Sequence, residues 1–159
     1  MPPPSSRPLN YTTKIPATQT VGECQALLAK SGASAVAVEY QDGEPTGLSF
    51  RLDTPHGRRD FTLPVNIAGI RQVLVNAERA GQFASLKKSA SAFTTEQHAA
   101  NVAWRVIRDW LEANLALIAA GMAQIDQVML PYLHVAPDKT LYAAYRERET
   151  ALELTAGSG

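Results

Sequence analysis

The chain has 159 residues, 45% apolar and 19% charged, with 15 Lys plus Arg against 15 Asp plus Glu. This is enough apolar material for one ordinary globular core, and the formal net charge of zero gives no global attraction to nucleic acid or to an anionic membrane. Cys24 is the only cysteine, which excludes an intramolecular disulfide and a thiolate metal cluster.

Residues 1–10 are rich in Pro and Ser and read as a disordered tail. They lack the apolar core of a secretory signal, so a cytoplasmic, reducing location is expected. The alternation from Tyr11 to Ile15 predicts a short strand closed by Pro16. Thr20-Val21-Gly22-Glu23 has the form of a capping box and predicts a helix with Cys24, Leu27 and Leu28 inward and Gly32 as its stop. On that face Cys24 reads as a small buried apolar residue.

Three strands are predicted next. Val36, Val38 and Tyr40 share one face of the first, and Asp42-Gly43 is a strong hairpin signal. In the second, Leu48, Phe50 and Leu52 face one way, with Ser49, Arg51 and Asp53 on the other. After the turn Thr54-Pro55-His56-Gly57, the third points Phe61 and Leu63 inward and Arg58, Asp60 and Thr62 outward. The result is an antiparallel meander with one apolar and one charged face. Asn66 then caps a helix carrying Ile67, Ile70, Val73, Leu74 and Ala77, which Gly81 ends. Residues 81–93 read as a flexible linker centred on Lys87 and Lys88.

The longest amphipathic pattern spans residues 94–130. Trp104, Ile107, Leu111, Leu115, Ile118, Met122, Ile125 and Met129 recur at helical spacing, behind a Thr94/Gln97 capping box and ahead of Pro131. Such a helix would be on the order of 50 Å long, against about 30–35 Å for a domain of this size. Either it bends near Gly121, or part of its stripe is covered by a second copy. The second alternative makes Trp104, Ile107, Leu111, Leu115, Ile118 and Met122 a self-association surface for a homodimer. Charged residues interrupt the first half, so no membrane span is expected. A short terminal helix over residues 140–148 and a loose tail over 150–159 complete the chain.

The predicted fold is α+β. A two-layer β-α-β-β-β-α domain (residues 11–80) is followed by the linker, then by a long amphipathic helix and a short C-terminal helix (residues 94–149). The helix-βββ-helix order matches that of double-stranded-RNA-binding domains. The lysine cluster expected at the start of their second helix is replaced here by Asn66, Ile67 and Ala68.

No chemistry is marked by motif. His56, His98 and His134 lack metal-ligand spacing, and neither HExxH nor a phosphate-binding glycine loop is present. Asp53, His56 and Asp60 lie close in sequence, but no nucleophile turn accompanies them. The expectation is a protein without catalytic residues, metal or cofactor. Candidate phosphate contacts are Arg51, Arg58 and Arg59 on the meander, Lys87 and Lys88 on the linker, and Arg105 and Arg108 beside Trp110.

Several phrases occur together: Tyr11-Thr-Thr-Lys-Ile15, Thr54-Pro55-His56-Gly57, Leu63-Pro64-Val65-Asn66, Val102-Ala-Trp-Arg105, Asp109-Trp110 and Leu130-Pro131-Tyr132. As a set they resemble a family of small proteins of bacteriophages, prophages and integrative elements. That resemblance covers roughly residues 10–148. It implies a small accessory protein of a mobile element and brings no catalytic residues. With the arginines of the sheet face and the basic linker, the function expected first is binding of nucleic acid or a nucleic-acid-processing complex. The alternative, from the zero net charge and the over-long helix, is a protein-protein inhibitor or adaptor, for example against a host defence enzyme.

Overall fold

The computed structural model describes residues 7–85 and 90–157. The fold is α+β, as the patterning predicts. Helix α1 (Ala17–Lys30) leads into an antiparallel meander of β1 (Ala35–Gln41), β2 (Glu44–Thr54) and β3 (Gly57–Pro64), in that order in the sheet. Asp42 and Gly43 both have positive φ, 51° and 83°, which is the type I′ geometry suited to a two-residue hairpin. Helix α2 (Ile67–Arg79) begins where Asn66 Oδ1 accepts from the Gly69 N–H at 2.9 Å.

Helix α3 (Glu96–Ala119) is the centre of the fold. One side carries Ala100, Ala103, Trp104, Leu111 and Leu115 into a core shared with α1 and the inner sheet face. Leu48, Phe50, Leu52, Phe61 and Leu63 are all buried there, as their alternation predicts. The other side of α3 presents Ala99 and Val102 to Leu74 and Ala77 of α2. Trp104 is fully buried, and its indole N–H donates to the Pro45 carbonyl at 3.0 Å.

The predicted long helix is broken. Its N-cap is Thr95, one residue later than expected, and it ends at Ala120 because Gly121 turns to φ 74°. Of the two alternatives above, the bend at Gly121 is the one realised. A short α4 (Ile125–Met129) then sends Met129 back into the same core. The self-association surface is corrected accordingly. Trp104, Leu111 and Leu115 are buried within their own chain, and Ile107 and Ile118 pack on the same core. Only Met122, beyond the break, is largely exposed, at 74%.

Other expectations also change. The strand over residues 11–15 is absent: turns bind Tyr11 to Pro8 and Thr13 to Asn10, and the Tyr11 ring stacks on Phe83 at 5.4 Å. Asn10, expected in the tail, donates to Asp109 at 2.8 Å. Helix α1 starts at Ala17, whose N–H is taken by Asn101 Oδ1 of α3 at 2.9 Å, so Thr20 lies inside the helix and is buried. The segment read as a flexible linker is anchored at both ends by Phe83 and Phe93, which are buried against each other and Tyr11. Its centre, Lys87 and Lys88, lies outside the described residues. A bulge between Glu39 and Tyr40 takes Tyr40 off the inner face, and it is 62% exposed.

The C-terminal part adds a hairpin the patterning did not reveal, β4 (His134–Ala136) with β5 (Lys139–Thr140). Leu133 bridges to Phe61, which docks this hairpin on the β3 edge of the sheet. Helix α5 (Leu141–Gly157) runs through the residues expected to be a loose tail, because Ala151, Leu152, Glu153 and Leu154 are good helix formers.

Replacing Trp104 tests the central position of α3. Trp104→Ala is expected to cost about 3–5 kcal/mol through the cavity it leaves. Trp104→Phe should cost less but lose the bond to Pro45, typically about 1 kcal/mol. Urea denaturation measures both.

Candidate functional site

Helices α1 and α3 cover the inner face of the sheet, while Ala35, Ala37, Arg51, Asp53 and Arg58 on the outer face are exposed. The alternation that buries Leu48, Phe50, Leu52, Phe61 and Leu63 projects Ser49, Arg51, Asp53, Arg58, Asp60 and Thr62 outward. Two kinds of row form on this surface.

The first is a hydrogen-bonded line across four strands. Ser49 Oγ lies 3.1 Å from Glu39 Oε1 and 2.7 Å from Thr62 Oγ1, and Thr62 Oγ1 lies 2.6 Å from His134 Nε2. Glu39 is not directly opposite Ser49; it faces Gly47. A Cβ on Gly47 would stand 2.8 Å from Glu39 Oε2, so the missing side chain gives the carboxylate room to lie across the strand. The proton direction follows from chemistry. A carboxylate only accepts, so Ser49 donates to Glu39. Having one proton, Ser49 must then accept from Thr62, and Thr62 from His134. The imidazole therefore carries its proton on Nε2.

The second kind is ionic. Arg51 faces Asp60 across β2 and β3, with Nε–Oδ1 at 2.7 Å and Nη2–Oδ2 at 3.3 Å. The bond from Arg51 holds the Asp60 carboxyl below its ordinary range, and the same bond raises the Arg51 guanidinium. Asp53 accepts from Arg58 Nε at 3.1 Å. Both pairs stand directly opposite in the β2–β3 register. Between the rows and β1, the small side chains of Ala35 and Ala37 leave a shallow cleft of about 230 Å³ bordered by Ser49, Arg51, Asp60 and His134.

Of the seven predicted phosphate contacts, Lys87 and Lys88 lie outside the described residues, and the other five do not come together. Arg51 and Arg58 share the outer face, each with its own aspartate. Arg59 pairs in register with inward-facing Leu52 and donates to the Arg58 carbonyl; it has no carboxylate partner among the described residues. Arg105 and Arg108 lie in a separate group. Arg105 donates to Glu23 of α1 at 2.6 Å, and Arg108 bonds Asp109 and Glu112. Asp53, His56 and Asp60 also stay apart. His56, 80% exposed at the hairpin tip, is 3.9 Å from Asp126 of α4, while each aspartate is held by its arginine. His98 is structural: its Nε2 meets the Tyr11 carbonyl at 2.6 Å and its ring stands edge-on to Phe93. A larger cavity of about 630 Å³ separates the Asp42 turn from the starts of α2 and α3, and contains none of the predicted contacts.

Sequence reasoning missed the Glu39–Ser49–Thr62–His134 line. Ser49 and Thr62 were legible as outward and cross-strand, but His134 joins them only through the unanticipated β4. Comparison of the chain with family models, curated proteins and solved structures finds no match.

Three expected outcomes follow. In neutral wild-type protein, nitrogen-detected NMR should find His134 as the Nε2–H tautomer, and Thr62→Val should shift it toward a mixture. An Nδ1–H tautomer in the wild type would mean that Thr62 donates to His134, leaving Ser49 one proton for two acceptors and breaking the line. Burial, with Glu23 adding to it, pushes the Cys24 thiol from 9.0 up to about 11. At pH 8 the thiolate fraction alone should make alkylation of the folded chain about a hundredfold slower than of the unfolded chain. Between these two values the unfolded chain has lost a proton that the folded chain keeps, so stability should fall as pH rises there.

Proposed function

We propose that this protein acts by binding rather than by catalysis, and that its outer sheet face docks a partner protein. The observation that carries the reading is the state of the arginines on that face. Arg51 and Arg58 are each neutralised by an aspartate in the neighbouring strand, and the hydrogen-bonded line beside them ends in a carboxylate. Phosphate binding draws on uncompensated cations that release counterions. A surface with both signs held in fixed positions suits a protein surface of matching donors and acceptors, where electrostatic complementarity sets orientation and choice of partner. The adaptor or inhibitor reading is therefore favoured over nucleic-acid binding. The resemblance to mobile-element proteins supplies the context, with a host protein, such as a defence enzyme, as the expected class of target.

Arg51→Glu tests this reading, because it reverses a charge on the face without touching the core. Arg146→Glu makes the same charge change on exposed α5. A partner captured from host extract should be kept by the wild type and by Arg146→Glu and lost by Arg51→Glu. Mobility shifts with single- and double-stranded DNA and RNA should find no complex that persists at moderate salt. A tight complex whose affinity falls steeply with salt, or capture indifferent to Arg51→Glu, would overturn the proposal.

A further inference from the structure

The sheet has two edges, and they are treated differently. Beyond β3, Leu133 bridges to Phe61 and His134 bonds Thr62, so the C-terminal hairpin closes that side. Beyond β1 no strand is paired among the described residues. An edge strand leaves about half its backbone N–H and C=O groups without a ladder partner, and proteins commonly guard such edges with lysine, proline, inward charges or bulges. From Ala35 to Val38 this strand has none of these; its bulge lies further on, between Glu39 and Tyr40. Ala35 and Ala37 are exposed, and Val36 and Val38 are only half-buried although they touch the core.

We infer that β1 pairs antiparallel with β1 of a second copy about a two-fold axis at Ala37, joining two three-stranded sheets into one. The self-complementary sequence selects the occupant. Val36-Ala37-Val38 reads the same in both directions, so this register sets Val36 against Val38 of the second copy and Ala37 against its own image. The half-buried valines then cover one another on the inner face as β-branched cross-strand pairs. On the outer face Ala35 stands opposite Glu39 of the second copy. The two Glu39 carboxylates fall on opposite sides of the axis rather than face to face. The inference is independent of the identity of any partner protein: a monomeric result leaves the outer-face reading intact.

The register gives two exposed substitutions effects of opposite sign. Ala37→Lys places like charges directly across the axis and should weaken the dimer about fivefold, whereas Ala35→Lys sets a cation opposite Glu39 twice and should tighten it about fivefold. Sedimentation equilibrium of the full chain and both variants over a concentration series reads these changes, with circular dichroism confirming unchanged secondary structure. The wild type should approach twice the 17.2 kDa chain mass as concentration rises. A mass of one chain at every concentration, a dimer indifferent to both substitutions, or effects of the reverse sign would overturn the inference.

Discussion

A one-sided sheet must have its apolar face covered, and here that requirement falls on the indole of Trp104. It is the largest fully buried side chain of α3, and its one polar atom is satisfied by the Pro45 carbonyl at the start of β2. A hydrophobic residue alone would hold α3 near the sheet. The directed N–H bond also sets where along β2 the helix sits. Ala100 and Ala103 keep the neighbouring positions small and are buried in the same core. With α3 set in this way, Asn101 reaches the first N–H of α1, and Ala99 and Val102 receive α2.

The meander was legible because period-two alternation and two strong turn signals agree over its whole length. Its cross-strand ion pairs sit on that same register. What failed depends on groups far apart in sequence. Thr20 looked like a cap because no local signal reveals that Asn101 serves as one for Ala17. Residues 81–93 looked loose because Phe83 and Phe93 are isolated in sequence; only the fold brings them to Tyr11. Gly121 was legible as a place to bend, while the choice between bending and pairing was not, since both satisfy the same stripe. The hydrogen-bonded line on the outer face depends on Gly47 and on β4, and neither has a sequence signature pointing to Glu39 or Thr62.

The outer face is unusual in how little of its polarity is left free. The hydroxyls of Ser49 and Thr62 are used between neighbours, and the aspartates answer the arginines. Such pairs contribute little stability at an exposed site. Their effect is to hold side chains in fixed directions, which lowers the ordering cost when another surface meets them. The face is preorganised as a pattern of donors and acceptors, although its net electrostatic field is weak.

The bonds that close the core span long stretches of chain: 59 residues from Pro45 to Trp104 and 84 from Ala17 to Asn101. A chain made from its N-terminus therefore completes the meander well before the helix that covers it exists. During that interval Leu48, Phe50, Leu52, Phe61 and Leu63 have only α1 to cover them on the nascent chain, next to the unguarded edge of β1. Complete burial waits on α3, and long-range closure of this kind slows folding and prolongs exposure to aggregation. The central placement of α3 thus has a cost during synthesis: the first half of the protein depends on a helix the ribosome has yet to make.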